Sequence, residues 1–408
     1  MTNRFTVIGG GLTGLTAAIS LAERGHRVTL HEQSRHLGGR ATTNHERGYS
    51  LNLGPHALYR DGAAHRQFQR WGIPVPGRSP RLKSRAHLVM NAELYQFPLS
   101  TARLFLTGAL SLRDKASVAA TLQALRSTNP AKLAGTTLGD FLDPRLRPGR
   151  ARLFIEAFVR LLTFAPHPEI LDAGAAIRQI RLGLKGGVLY IDRGWDTLVK
   201  GLEAKAVSLG VEIHTSSPVD RLPTDTDGVV LAIPPEQVER ITNWKAPAMQ
   251  PARMATLDLG LKAVKPEWAR FGIGMDCPMY LSMHSETARL APQASAMVHV
   301  SKYIGANESA SRAQLEAFAD LLMPGWHEHG EVAHYLPNLG VVHALPTPVG
   351  RPAVDSLGID GVAIAGEWVG DEGMLTDAAV ASALRAAQLV ASRTGGSACL
   401  QASHASSY

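Results

Sequence analysis

FTVIGGGLTGLTAAISLAERGHRVTLHE, residues 5–32, decides the fold. Phe5 to Ile8 is a short β-branched and aromatic run that ends in Gly9-Gly10-Gly11, as a strand running into a turn does. Leu12, Leu15, Ile19 and Ala22 then recur at helical spacing, with Gly25 placed as a stop. Val28 to His31 reads as a second strand. Strand, glycine turn, helix and strand within about thirty residues form the βαβ unit of a parallel sheet.

The glycines are spaced Gly9-x-Gly11-x-x-Gly14. The first permits a tight turn, the second lets backbone approach a diphosphate, and the third lets the helix sit close to the strand. A diphosphate then rests on free N–H groups at the positive end of the helix, at Leu12 and Thr13. Glu32 ends the second strand, eighteen residues after Gly14, with Gln33 beside it. A carboxylate there accepts from ribose hydroxyls and repels a 2′-phosphate, so the unit predicts a dinucleotide other than NADP.

Arg35-x-x-Gly38-Gly39-Arg40-Ala41-Thr42-Thr43 follows directly. A glycine pair lets backbone pass close to a flat group, and Arg40 adds a fixed charge. This run resembles the R-x-x-G-G-R-x-x-S/T motif of the FAD-dependent flavin amine oxidase, phytoene desaturase and protoporphyrinogen oxidase superfamily. Leu53-Gly54-Pro55-His56-Ala57 is similar to the strand end that lies against the flavin ring there, with Asn52 or Ser50 where an aspartate is common. His56 stays open between a flavin neighbour, a proton shuttle and a satisfied core histidine. Val211 to Val219 resembles the strand pair whose valine, here Val219, meets the adenine through its backbone. Ala365-Gly366-Glu367-Trp368, followed by Met374-Leu375-Thr376-Asp377-Ala378-Ala379, resembles the C-terminal motif. The resemblance implies that Glu367 binds the ribityl and diphosphate part. It also implies that the helix opening near Leu375 aims its positive end at the flavin N1–O2 edge.

The resemblance implies an α/β fold: a Rossmann-like FAD domain from residues 1–60, 195–240 and 350–395, and an α+β substrate domain from 61–194 and 241–349. A helical insertion spans 98–180, and 396–408 reads as a flexible tail. It also implies hydride removal from a substrate C–H bond to the flavin, with oxygen, a quinone or another acceptor taking the electrons. The apolar helical section favours an isoprenoid-like, polyene-like or heterocyclic substrate. An amine or amino-acid oxidase is the alternative, with Lys302, Tyr303 and Trp368 as its possible aromatic and lysine groups. A non-catalytic prenyl-binding protein is a further one, although such proteins lose the flavin motifs that stand intact here.

Composition agrees with a compact globular chain: 408 residues, 45% hydrophobic and 19% charged. The net charge of +7 is spread along the chain, densest at Arg145, Arg147, Arg150 and Arg152, beside Pro144 and Pro148. That patch reads as a solvated connection between helices, or else as a membrane-surface or acidic-substrate contact; nucleic acid is not expected as a partner. Cys277 and Cys399 form no C-x-x-C pair, which fits a reduced, cytoplasmic setting; neither stands in the family's Ser-Gly-Gly-Cys-type flavin attachment, so the resemblance implies non-covalent FAD. No run of about 18 uninterrupted apolar residues predicts a spanning helix. His327-Glu328-His329 lacks a third ligand, so no metal site is expected.

Overall fold

The computed structural model describes residues 2–80, 85–98, 100–305 and 307–402. Its first sheet grows from the segment that opens the chain. Phe5, Val7 and Ile8 in the strand Arg4–Ile8 are all buried, the continuous apolar pattern of a strand covered on both faces. It pairs in parallel with Arg27–His31 on one side and Gly228–Leu231 on the other. Glu212–His214 and Val362–Ile364 extend the sheet, giving the spatial order 212–214, 27–31, 4–8, 228–231, 362–364. Strands from the start, middle and end of the sequence therefore share one α/β layer.

Three helices cover this sheet: Leu12–Ala22, Asp196–Ser208 and Leu375–Ala402. The first and last pack on each other, and small residues make that approach possible. Ala17 and Ala18 on one helix and Ala383, Ala386 and Ala387 on the other are fully buried.

A second, seven-stranded sheet runs in the order 330–342, 252–261, 296–304, 279–283, 271–274, 86–90, 93–96. All its pairings are antiparallel except that of Phe271–Gly274 with Ala86–Met90. The segment between 101 and 186 is helical, with main helices Leu112–Ser127, Arg150–Thr163 and Ala173–Gly186. It shares one apolar core with the second sheet through Phe154, Ile177, Met254 and Phe271. Among the described residues no helix is long and apolar enough to cross a membrane.

Three elements differ from the sequence reading. Pro234-Pro235 ends a strand as expected, but Pro235 also opens the helix Pro235–Thr242; proline at the first helical position gives up no needed N–H. Gly330–Val342 is a 13-residue strand that contains Pro337, which the register places at an irregularity opposite Met254–Thr256, where a missing donor is tolerated. The last helix runs to Ala402 rather than ending near Ser392, so the 396–402 part of the expected tail lies in it; 403–408 lie outside the described residues.

Candidate functional site

A cavity of about 500 Å³ opens between the two sheets, at the carboxyl end of the strand Arg4–Ile8, where open α/β sheets bind ligands. The glycine turn builds one wall. Gly9 adopts φ +106, and a side chain there would overlap the Ala232 carbonyl. Gly11 caps the first helix without any side-chain acceptor, so the first-turn amides at Leu12 and Thr13 keep their donors for a ligand. A methyl group on Gly11 would meet only the Gly38 carbonyl oxygen, at 3.9 Å.

Glu32 is 8% exposed. Its Oε2 accepts from the Gly10 N–H at 2.6 Å and its Oε1 from the Ser34 N–H at 2.8 Å. Each oxygen retains a lone pair for a further donor. Ser217 is tied to the same segment, through its N–H to the Glu32 carbonyl and its hydroxyl to His31 Nδ1 at 2.9 Å. That anchorage brings Val219 to the cavity, although the chain there is a loop and not the second strand of a pair.

Glu367 is the most constrained charge. Arg40 Nη2 lies 2.6 Å from its Oε2, while the His343 N–H and Nδ1 lie 3.0 and 2.6 Å from its Oε1. Burial alone would push this carboxyl up, but Arg40 and His343 outweigh it and hold the group well below the usual carboxylate range. Arg351 supports the same loop: its guanidinium donates to the carbonyls of Gly370, Glu367 and Gly373 at 2.7, 2.8 and 2.9 Å. Burial lowers its pKa to about 10, so it stays charged at neutral pH.

The segment Leu53–Ala57 forms another wall. His56 stands between the carbonyls of Gly54 and Arg40, each 3.1 Å from a ring nitrogen, and edge-on to Trp195 at 4.9 Å. Burial lowers its pKa, against the pull of the Gly54 carbonyl. Beneath it, Asp258 accepts from the Gly54 N–H at 3.2 Å and pairs with His299 at 2.6 Å, both almost fully buried.

Gly9, Gly11, Leu12, Thr13, Glu32, Gln33, Gly39, Arg40, Pro55, His56, Ala57, Val219, Gly366, Glu367 and Leu375 all line this one cavity. Gly14, Gly54, Met374 and Ala378 do not. Gly14 sits against the Gly9 carbonyl, Gly54 holds φ +74 against Leu339, and Met374 and Ala378 are core. His343 and Arg351 were missed, because a lone histidine and a lone arginine in irregular segments carry no spacing signal.

Of the residues considered for an amine oxidase, Trp368 lines the cavity. Lys302 instead donates to the Ser309 carbonyl and Tyr303 is core. Cys277 is also off the cavity, its thiol pushed up to about 11 by burial; the Cys399 side chain lies outside the described residues. His327 meets Asp320 at 3.1 Å, and no three metal-ligating groups converge among the described residues.

Similarity to known proteins follows the same outline. A 4,4′-diaponeurosporene oxygenase from Staphylococcus aureus is 25% identical over 264 residues, 55% of this chain and 51% of the relative. The chain thus spans about half the length of the curated relatives it matches. An oxidoreductase from Methanosarcina mazei superposes with a TM-score of 0.76 at 16% identity, over 94% of this chain and 100% of the other. Putrescine oxidase with bound putrescine superposes with a TM-score of 0.70 at 14% identity, over 96% and 100% of the two chains; both likenesses concern the fold. The model of the flavin containing amine oxidoreductase family matches residues 12–242, more than half of the chain. The chain therefore belongs to the flavin containing amine oxidoreductase family.

Proposed function

We propose that the chain binds FAD non-covalently in the cavity and oxidises a C–H bond of an apolar isoprenoid-like, polyene-like or heterocyclic metabolite, as a desaturase or dehydrogenase. The observation that carries this reading is the meeting of Gly11, Glu32, Arg40, Val219 and Glu367 on one chamber. Glu32 would hold a ribose, the amides at Leu12 and Thr13 a diphosphate, and Val219 the adenine. Arg40 and Glu367 would hold the ribityl and diphosphate part, with the helix start at Leu375 facing the ring edge. When bound, the flavin supplies hydride acceptance and hands electrons to oxygen, a quinone or another acceptor.

On the substrate side, Phe164, Met254, Leu339 and Val341 offer apolar surface. The relative named a 4,4′-diaponeurosporene oxygenase points the same way. The amine-oxidase alternative has less support, since Lys302 and Tyr303 lie off the cavity. Anaerobic mixing with candidate isoprenoids and amines separates the two: an isoprenoid should bleach the flavin bands and amines should not. Bleaching by an amine alone would replace this reading with the oxidase one.

A further inference from the structure

The imidazole of His56 is held between two acceptors. Its Nδ1 lies 3.1 Å from the Gly54 carbonyl oxygen and its Nε2 lies 3.1 Å from that of Arg40. A carbonyl can only accept, and a neutral imidazole has one N–H to give. The neutral ring therefore leaves one nitrogen lone pair against an oxygen, whereas the imidazolium satisfies both contacts.

Neither acceptor is free to turn away. The Gly54 N–H is held by the Asn52 carbonyl at 2.9 Å and by Asp258 at 3.2 Å, and Gly54 sits at φ +74 against Leu339. Arg40 lies in the short turn Gly39–Ala41, with its guanidinium on Glu367 and on the Val341 carbonyl at 2.7 Å. Trp195 packs edge-on to the ring at 4.9 Å. This frame suits the charged ring.

The charges around His56 favour the opposite state. Burial and His299 oppose the imidazolium more than the two carbonyls and Asp258 support it, so the pKa of His56 is lowered. His284, the other ring of this neighbourhood, is itself kept neutral chiefly by burial. Asp258 is committed to His299 at 2.6 Å, and Glu367 to Arg40 and His343, each at 2.6 Å. Hydrogen bonding and burial thus pull the ring toward different protonation states, and one added negative charge nearby decides between them.

Oxidation of a substrate supplies that charge. A hydride carries two electrons and one proton, so its transfer to the flavin proposed for this cavity adds one negative charge. His56 lines the same cavity. We infer that His56 is the proton-uptake site of the cavity: it becomes imidazolium, with one proton drawn from solvent, when the bound flavin takes on that charge. Once the two electrons and the hydride's proton leave with the acceptor, His56 returns its own proton to solvent. The inference rests on the reading that the cavity holds FAD.

The test is histidine NMR on the full chain loaded with FAD and kept anaerobic, with His56→Gln identifying the His56 signal by its loss. With oxidised FAD at about pH 7 the signal should stand at the neutral-imidazole position. Bleaching the flavin with dithionite should move it to the imidazolium position. In His56→Gln the reduced flavin should lose about tenfold in stability relative to the oxidised one, a fall of about 30 mV in midpoint potential. A merely structural role would weaken the hold on both forms alike and leave the potential unchanged. A His56 signal that stays neutral through complete bleaching, or one already imidazolium with oxidised FAD, would overturn the inference. So would a wild-type potential in the variant. A chain that takes up no FAD shows no flavin bands, and would instead overturn the reading beneath the inference.

Discussion

A methyl group at Gly14 would overlap the Gly9 carbonyl oxygen, whereas at Gly11 it would project toward the cavity with only the Gly38 carbonyl nearby at 3.9 Å. Gly11 also has φ −75, which any residue adopts. Gly11→Ala should therefore fold with a melting temperature close to wild type and lose flavin. Gly14→Ala should lose folded yield, as measured by soluble expression and near-UV circular dichroism. Both glycines were legible as one motif, yet only the structure divides them into a glycine that faces the cavity and a packing glycine. Asp258 shows the opposite limit. It sits in a strand of ordinary pattern, and nothing local marks it as the partner of His299 and of the Gly54 N–H. Asp258→Ala leaves the buried His299 ring nitrogen without its partner, at a cost of about 1–3 kcal/mol, while the Gly54 N–H keeps the Asn52 carbonyl. A lowered denaturation midpoint checks this, and a midpoint equal to wild type would remove the pair from the account.

The last helix, Leu375–Ala402, is the element whose placement matters most. Its first turn carries Asp377, which accepts from the Ala64 N–H at 2.9 Å through one oxygen and has the other buried without a partner. Burial raises its pKa to about 6, whereas an unfolded aspartate titrates near 3.9. The folded chain therefore binds the proton more tightly, and the stability this brings is full below about pH 4 and lost as pH rises through about 6. Asp377→Asn should raise the melting temperature at neutral pH, with the gain vanishing near about pH 4. The loop before the helix depends on Arg351 and its three carbonyl contacts. Arg351→Met should reduce flavin retention about tenfold, the scale of a lost charged hydrogen bond, and a binding titration reads it. The helix itself was legible from alanine content and its spacing from Gly366. Its arginine clamp was not, because it acts across the chain on carbonyls, which no sequence pattern displays.

For the molecule as a whole, the opening segment predicts a parallel sheet, and the sheet is there with strands from 4–8 to 362–364. What periodicity cannot supply is closure. The strand Gly330–Val342 and His343 complete the cavity from the second sheet, and Pro337 hid that strand from a pattern-based reading. Residue by residue, the wall built by the glycine turn and Arg40 was readable because glycine spacing and a fixed charge stand in the sequence as a motif. The far wall was not, because apolar residues that line a cavity look like core in a sequence. The central claim is that this chamber holds non-covalent FAD, and the visible absorption spectrum of the purified chain, before and after acid precipitation, tests it most directly. The account predicts twin flavin bands that pass to the supernatant. Bands that stay with the pellet would contradict non-covalent binding, and a colourless chain that takes up no added FAD would contradict the claim itself.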